Sequence, residues 1–163
     1  MSKEIDKKNN NKISVSSRER IIEFENALIS AADGINIEGN GKRVMTESKI
    51  APIKHTFADG VYIRQMDMAA GTIVVGAIHK HLHMCFLLSG LLTVADENGT
   101  KDYIAPCYII STPGTKRVLY AHEDSVWYNT HKNPSNTKDI RKIEEELVAI
   151  NYKEYEQYIN KNK

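Results

Sequence analysis

Between Pro52 and His131 the chain is written in short β-type runs broken by turn residues, and this limits what it can fold into more than any other feature. The runs are Val61–Met66, Thr72–Ile78, Phe86–Ala95, Asp102–Ile104, Tyr108–Ser111, Arg117–Tyr120 and Ser125–Thr130. Asn98-Gly99 lies between two of them and favours a tight type I′ hairpin, whose central residues both need positive φ. Thr112-Pro113-Gly114 suits a type II turn, with proline presetting the first central φ and glycine accepting the second. Many short strands at this spacing predict a mainly β fold, a sandwich or a barrel.

Helical periodicity is confined to the flanks. Ile21, Phe24, Leu28 and Ala31/Ala32 form one apolar stripe and predict a helix from about Arg18 to Ala32. Ser16 and Glu19 have capping-box spacing at its start, and Gly34 can end it. Residues 35–48, with Gly39, Asn40 and Gly41, read as loop. Beyond His131, Thr137 is placed to cap a helix carrying Ile140, Ile143 and Leu147. Asn151 opens a second helix, with Tyr152, Tyr155 and Tyr158/Ile159 along one edge, to pack on the barrel or on a subunit partner. The expected organisation is a disordered basic tail at 1–16, a helix and loop at 17–51, the β domain at 52–131 and a helical extension at 132–163.

Charge excludes several functions. Lys and Arg number 22 against 21 Asp and Glu, which gives no footing for a general nucleic-acid or acidic-membrane binder. The first 20 residues hold six basic and three acidic side chains, yet they contain three consecutive asparagines and no aromatic residue, so a solvated tail is expected rather than a nucleic-acid arm. The longest uncharged apolar stretches, around Met68 to Ile78 and Met84 to Ala95, are too short to span a bilayer. The polar N-terminus has no signal-peptide core, and Cys85 and Cys107 make no disulfide framework, so a cytoplasmic protein is expected.

The chemistry concentrates in Ile78-His79-Lys80-His81-Leu82-His83. Histidines at steps of two share a face of any continuous strand. Imidazole is the commonest protein ligand for Zn, Fe, Ni or Mn, and a set of three leaves positions open for a substrate.

This stretch resembles the cupin superfamily, small antiparallel jelly-roll barrels. Gly71 and Gly90 fit the two glycines of the first cupin motif, and Leu87-Leu88-Ser89-Gly90 is similar to its usual strand ending. In that alignment Ala77 takes the first histidine position, His79 the second, and His83 the glutamate position. The second motif is met loosely by Pro113-Gly114, with Arg117 in place of its histidine and Ala121 in place of its asparagine. The resemblance implies a cupin-like jelly-roll β-barrel with an N-terminal helix and C-terminal helices. Lys116-Arg117 and Glu123-Asp124-Ser125-Val126-Trp127 also look like a group of small phage-type cupins, which would place the protein in a host cytoplasm.

A cupin metal usually takes two histidines, a glutamate and a further histidine. The resemblance implies His79 and His83 as ligands, with His122 or His81 as the third. Cys85 is either a thiolate ligand or a small buried filler, and His131, on a face with Trp127 and Asn129, reads as a hydrogen-bonded structural histidine. Arg117 either points into the barrel, where it favours a carboxylate or phosphate, or stays with Lys116 as a surface charge beside the turn. The first function this suggests is binding of a divalent transition metal together with a small oxygen-bearing ligand. The alternative is metal-free binding of a small anionic metabolite by Arg117 and neutral imidazoles. Acid–base chemistry by His79 with Tyr62 or Tyr120, both barrel tyrosines and candidate ligand contacts, ranks third. A homodimer is expected from the resemblance and the tyrosine-rich C-terminal segment.

Overall fold

The structure is a computed structural model that describes residues 17–30 and 51–162. The tail at 1–16, the loop at 35–48, Ser16 of the capping pair and the helix stop at Gly34 lie outside the described residues. Helix α1 spans residues 17–30. The strands that follow are β1 (Ile53–Ala58), β2 (Val61–Met68), β3 (Ile73–Val75), β4 (Ile78–His79), β5 (His83–Ser89), β6 (Leu91–Asp96), β7 (Gly99–Ile104), β8 (Cys107–Ser111), β9 (Val118–Ala121) and β10 (Ser125–Lys132). Helix α2 (Ile140–Leu147), strand β11 (Val148–Ala149) and helix α3 (Tyr152–Lys161) follow them.

Two antiparallel sheets face one another, in the orders β1-β2-β10-β5-β8 and β3-β9-β6-β7, and β4 pairs with β11 apart from both. The core between them joins Met66, Met68, Cys85, Leu87 and Trp127 of the first sheet to Leu92, Val94, Leu119 and Ala121 of the second. The chain passes repeatedly between the two sheets, with β1–β2 and β6–β7 as hairpins inside one sheet, as in a jelly roll. The fold is therefore a mainly β jelly-roll barrel with helices on either side of it in sequence.

Local rules explain where the expected runs divide. Phe86–Ala95 splits at Gly90, which carries the chain between sheets at φ 90°. A Cβ there would lie 2.1 Å from Ser125 Oγ, so both the backbone angle and the space call for glycine. The Thr112–Thr115 turn closes as expected, with Gly114 at φ 85° and Thr115 N donating to Thr112 O at 3.3 Å. The hairpin between β6 and β7 differs from the expected type I′. Asp96 sits opposite Gly99, so Glu97 and Asn98 form the turn, and neither has positive φ. Strand β1 went unread, although Ile53, His55 and Phe57 alternate and Asp59-Gly60 is a hairpin signal.

The flanking helices also depart from expectation. The α1 stripe is only partly used: Ile21 is buried but Phe24 is 39% exposed. Charge docks this helix instead, through Lys116 to Glu25 at 3.0 Å, Arg18 to Glu97, and the Arg18 guanidinium over the Tyr152 ring at 5.1 Å. Asp139, not Thr137, caps α2, accepting from the backbone of Arg141 and Lys142. Asn151 caps α3 as expected. The tyrosine stripe packs on its own chain, Tyr155 against Gly114 and Tyr158 beside Lys80, so the homodimer expectation no longer rests on it.

Replacing Gly90 with alanine should cost at least about 2 kcal/mol in urea unfolding, because strain and collision add. Gly60→Ala also sits at positive φ but meets nothing within 4 Å, so it should cost about 1 kcal/mol. Equal losses at both sites would contradict this reading.

Candidate metal centre

The inner face of the larger sheet reads as a series of rows. Across β2, β10, β5 and β8, Tyr62 lies opposite His131, and His83 lies opposite Ser111. One row deeper come Arg64, Asn129, Cys85 and Ile109, and below them Met66, Trp127, Leu87 and Cys107. The interior is thus apolar at depth and polar at one end. That end is covered by α2 and β11, whose Ile143, Leu147 and Val148 pack with Tyr62.

His79 reaches this polar end from β4. Residues 80–82 bend between β4 and β5, so the three histidines do not share one continuous strand, and His79 and His83 approach each other across the bend. His79, His83 and His131 each offer a ring nitrogen, and these atoms all lie within 4.8 Å of one another. The His79–His83 and His83–His131 ring centroids are 4.1 Å and 4.5 Å apart.

All three imidazoles are held neutral. Burial lowers His79 well below the ordinary histidine value, with His83 and His131 adding to the effect. Burial brings His83 down to about 4, and Arg117 pushes the same way. His131 falls to about 3, again chiefly through burial, with help from His83 and Arg64. His83 Nδ1 lies 3.1 Å from the His81 carbonyl, and a carbonyl only accepts, so that nitrogen carries the proton and Nε2 keeps its lone pair. His79 Nδ1 is shut away from solvent with no hydrogen-bond partner among the described residues.

The neighbours add charge and hydrogen bonds. Arg117 and Lys116 are buried, 8% and 4% exposed, so neither is a surface charge beside the turn. Arg117 Nη1 donates to Ser111 Oγ at 2.6 Å, and its Nε is 3.7 Å from Asp96. On the opposite flank Arg64 pairs with the buried Glu144 of α2 at 3.4 Å. Cys85 Sγ lies 3.5 Å from His83 Nε2 and donates to Asn129 Oδ1 at 3.1 Å. Burial pushes its thiol up to about 12, which makes it a protonated neighbour rather than a thiolate.

Several sequence-predicted site residues stand elsewhere. His122 lies beyond the outer face of the smaller sheet, 2.6 Å from Thr93 Oγ1 and edge-on to the exposed Tyr120, because Leu119 and Ala121 take the inward positions of β9. The His81 ring stands edge-on to Tyr158 in α3, and only its carbonyl serves the cluster. Tyr62 is at the polar end, but its hydroxyl bonds His55 Nδ1 at 2.8 Å and burial raises it to about 12, which suits it poorly as an acid. The residue the sequence reading missed as a ligand candidate is His131. Its inward phase with Trp127 and Asn129 was visible, but its position beside His83 depends on the β10–β5 register. Ser111 was missed for the same reason.

The donor set fits a divalent transition metal: three neutral imidazoles, one with an orphaned buried nitrogen and one oriented by a backbone carbonyl.

No family model matches the sequence, and no curated protein matches it. Solved structures with a similar arrangement of strands include ectoine synthase from P. lautus, at 13% identity over 54% of this chain and 67% of that one, with a TM-score of 0.48. KdgF from Halomonas sp. shows 13% identity over 56% of this chain and 88% of that one, TM-score 0.46. A Cupin 2 conserved barrel domain protein from Salinispora arenicola shows 9% identity over 68% of this chain and 99% of that one, TM-score 0.47. At such identities the likeness concerns the barrel and says nothing of ligand or reaction. Among the described residues no helix is long and apolar enough to cross a membrane.

The depressed histidines make the metal-free protein acid-sensitive. Above pH 6.5, the ordinary histidine value, folded and unfolded chains both hold neutral imidazoles and this contribution is complete. As pH falls below that, the unfolded chain takes up protons that the folded one refuses, until His83 titrates at about 4 and His131 at about 3. The loss should be on the order of a few kcal/mol. Thermal melts between about pH 7.5 and about pH 4.5 should show a falling Tm, and His131→Phe should flatten the slope. A Tm independent of pH over that range would count against neutral burial.

Proposed function

We propose that this protein binds a divalent transition metal, Zn, Fe, Ni or Mn, through His79, His83 and His131, and holds a small oxygen-bearing anion beside it. The observation that carries this reading is the convergence of three ring nitrogens within 4.8 Å at the covered end of the barrel. When bound, the metal supplies a Lewis acid able to polarise an oxygen of the ligand. The protein's own contribution is positional. The His81 carbonyl fixes the His83 tautomer, and burial keeps all three rings unprotonated at neutral pH, so protons do not compete for the site.

Charge supports the anionic character of the ligand. The three histidines bring no negative charge, while Arg117 and Arg64 flank them, paired with Asp96 and Glu144 among the described residues. A divalent ion added there brings further positive charge into a buried place, which an incoming carboxylate or phosphate relieves. Arg117, hydrogen-bonded to Ser111 in the row of His83, is the residue placed to meet it.

Protein purified without an affinity tag should contain roughly one transition-metal ion per chain by elemental analysis. Alanine at His79 and His83 together, or at His131 alone, should abolish loading, whereas His122→Ala should leave it unchanged. Less than about a tenth of an equivalent after dialysis against Zn, Fe, Ni and Mn would overturn metal binding. If thermal stabilisation by oxalate or phosphate then persisted and disappeared in Arg117→Met, the metal-free anion-binding reading would take its place.

A further inference from the structure

Strand β4 has only two residues, and neither of the barrel sheets includes it. Its partner is β11, with Val148 opposite His79 and Ala149 opposite Ile78. From the other side the His79 carbonyl accepts from Gly114 N at 2.8 Å. The buried Ile78 anchors this short strand by packing, and its backbone is tied in part by a segment that lies after the barrel in sequence.

Lys80 concentrates the attachment. Its backbone N donates to Leu147 O at 2.8 Å, and its Nζ donates to Glu145 O at 2.6 Å. The same ammonium is 3.7 Å from Glu154 and 5.3 Å from the centre of the Tyr158 ring. Its side chain is only 8% exposed. One residue next to a candidate ligand thus touches α2, α3 and the join between α2 and β11.

We propose that Lys80 is a positioning residue: by tying the bend after His79 to the segment α2–β11–α3, it couples metal binding at the three histidines to docking of that segment. This rests on the metal-binding reading above. Whatever holds β4 against β11 holds His79 within reach of His83 and His131, and a metal that gathers the three rings favours the docked segment in return, since linkage is reciprocal.

The sign of the effect separates this role from simple electrostatics. Removing an ammonium near a cation site relieves repulsion and tightens metal binding. Loss of a positioning contact loosens it, with outer contacts of metal ligands typically worth about tenfold or more in affinity. The test is Zn(II) affinity of the full, metal-stripped chain by competition with a chromophoric chelator, alongside limited proteolysis of the C-terminal segment with and without Zn(II). Lys80→Met keeps the aliphatic stem and should bind Zn(II) about tenfold more weakly, with faster C-terminal cleavage. Zn(II) should slow that cleavage in the unaltered protein. Tyr158→Ala, on α3 and outside the metal ligands, should shift both readouts the same way by less, and it serves if Lys80→Met fails to fold. Equal or tighter Zn(II) binding in the folded variants would overturn the coupling while leaving the metal site standing. Failure of the unaltered chain to bind Zn(II) or the other metals would overturn the metal reading, and the coupling with it.

Discussion

Imidazoles can be stacked against one another inside a barrel only while they stay neutral, and the polar end of this barrel is arranged around that condition. Protonating one ring would put a charge about 4 Å from its neighbours with no carboxylate among them to absorb it, and the flanking guanidiniums would oppose it further. Arg64 and Arg117 can be there because Glu144 and Asp96 answer them from outside the cluster. The histidines are thereby left with lone pairs and little solvent, a state that is costly in a purely structural core and useful at a site that receives a cation.

The rows across the larger sheet explain why chemistry collects at one end. Strand alternation sends Leu87, Trp127 and Met66 into the same interior as His83, His131 and Tyr62, separated only by distance along the strands. Between them, Asn129 accepts hydrogen bonds from Trp127 Nε1 and Cys85 Sγ, giving the apolar core a satisfied polar boundary. The core below can then be dry and close-packed while the end above keeps its polar groups.

Much of the barrel was legible because its signals are local. Gly114 announces a turn through the φ it permits, though the expected run Phe86–Ala95 passes straight through Gly90, and alternation in β2 and β10 shows which residues face inward. The candidate site was legible only in part. His79 and His83 lie in one short stretch, and their relation survives the bend between β4 and β5. His131 joins them through the pairing of β10 with β5, a register between segments far apart in sequence that no local pattern encodes. His122 misled for the converse reason: it is near the barrel in sequence, but it lies past the end of β9 on the side away from the core. Arg117 was ambiguous until the structure gave it Ser111 and Asp96, since a charge beside a turn is equally at home in solvent.

The placement of β11 bears on the order in which the molecule is made. Every strand of the two large sheets precedes α2 and β11 in the chain. A nascent polypeptide can therefore complete the barrel and its apolar interior while the histidine end is still uncovered. The cover arrives with a later-made segment and fastens onto residues synthesised long before it, a long-range closure of the kind that forms late because its entropic cost must be met first. For this fold, the time between barrel formation and that closure is when the histidine end is most open to whatever the surroundings offer it.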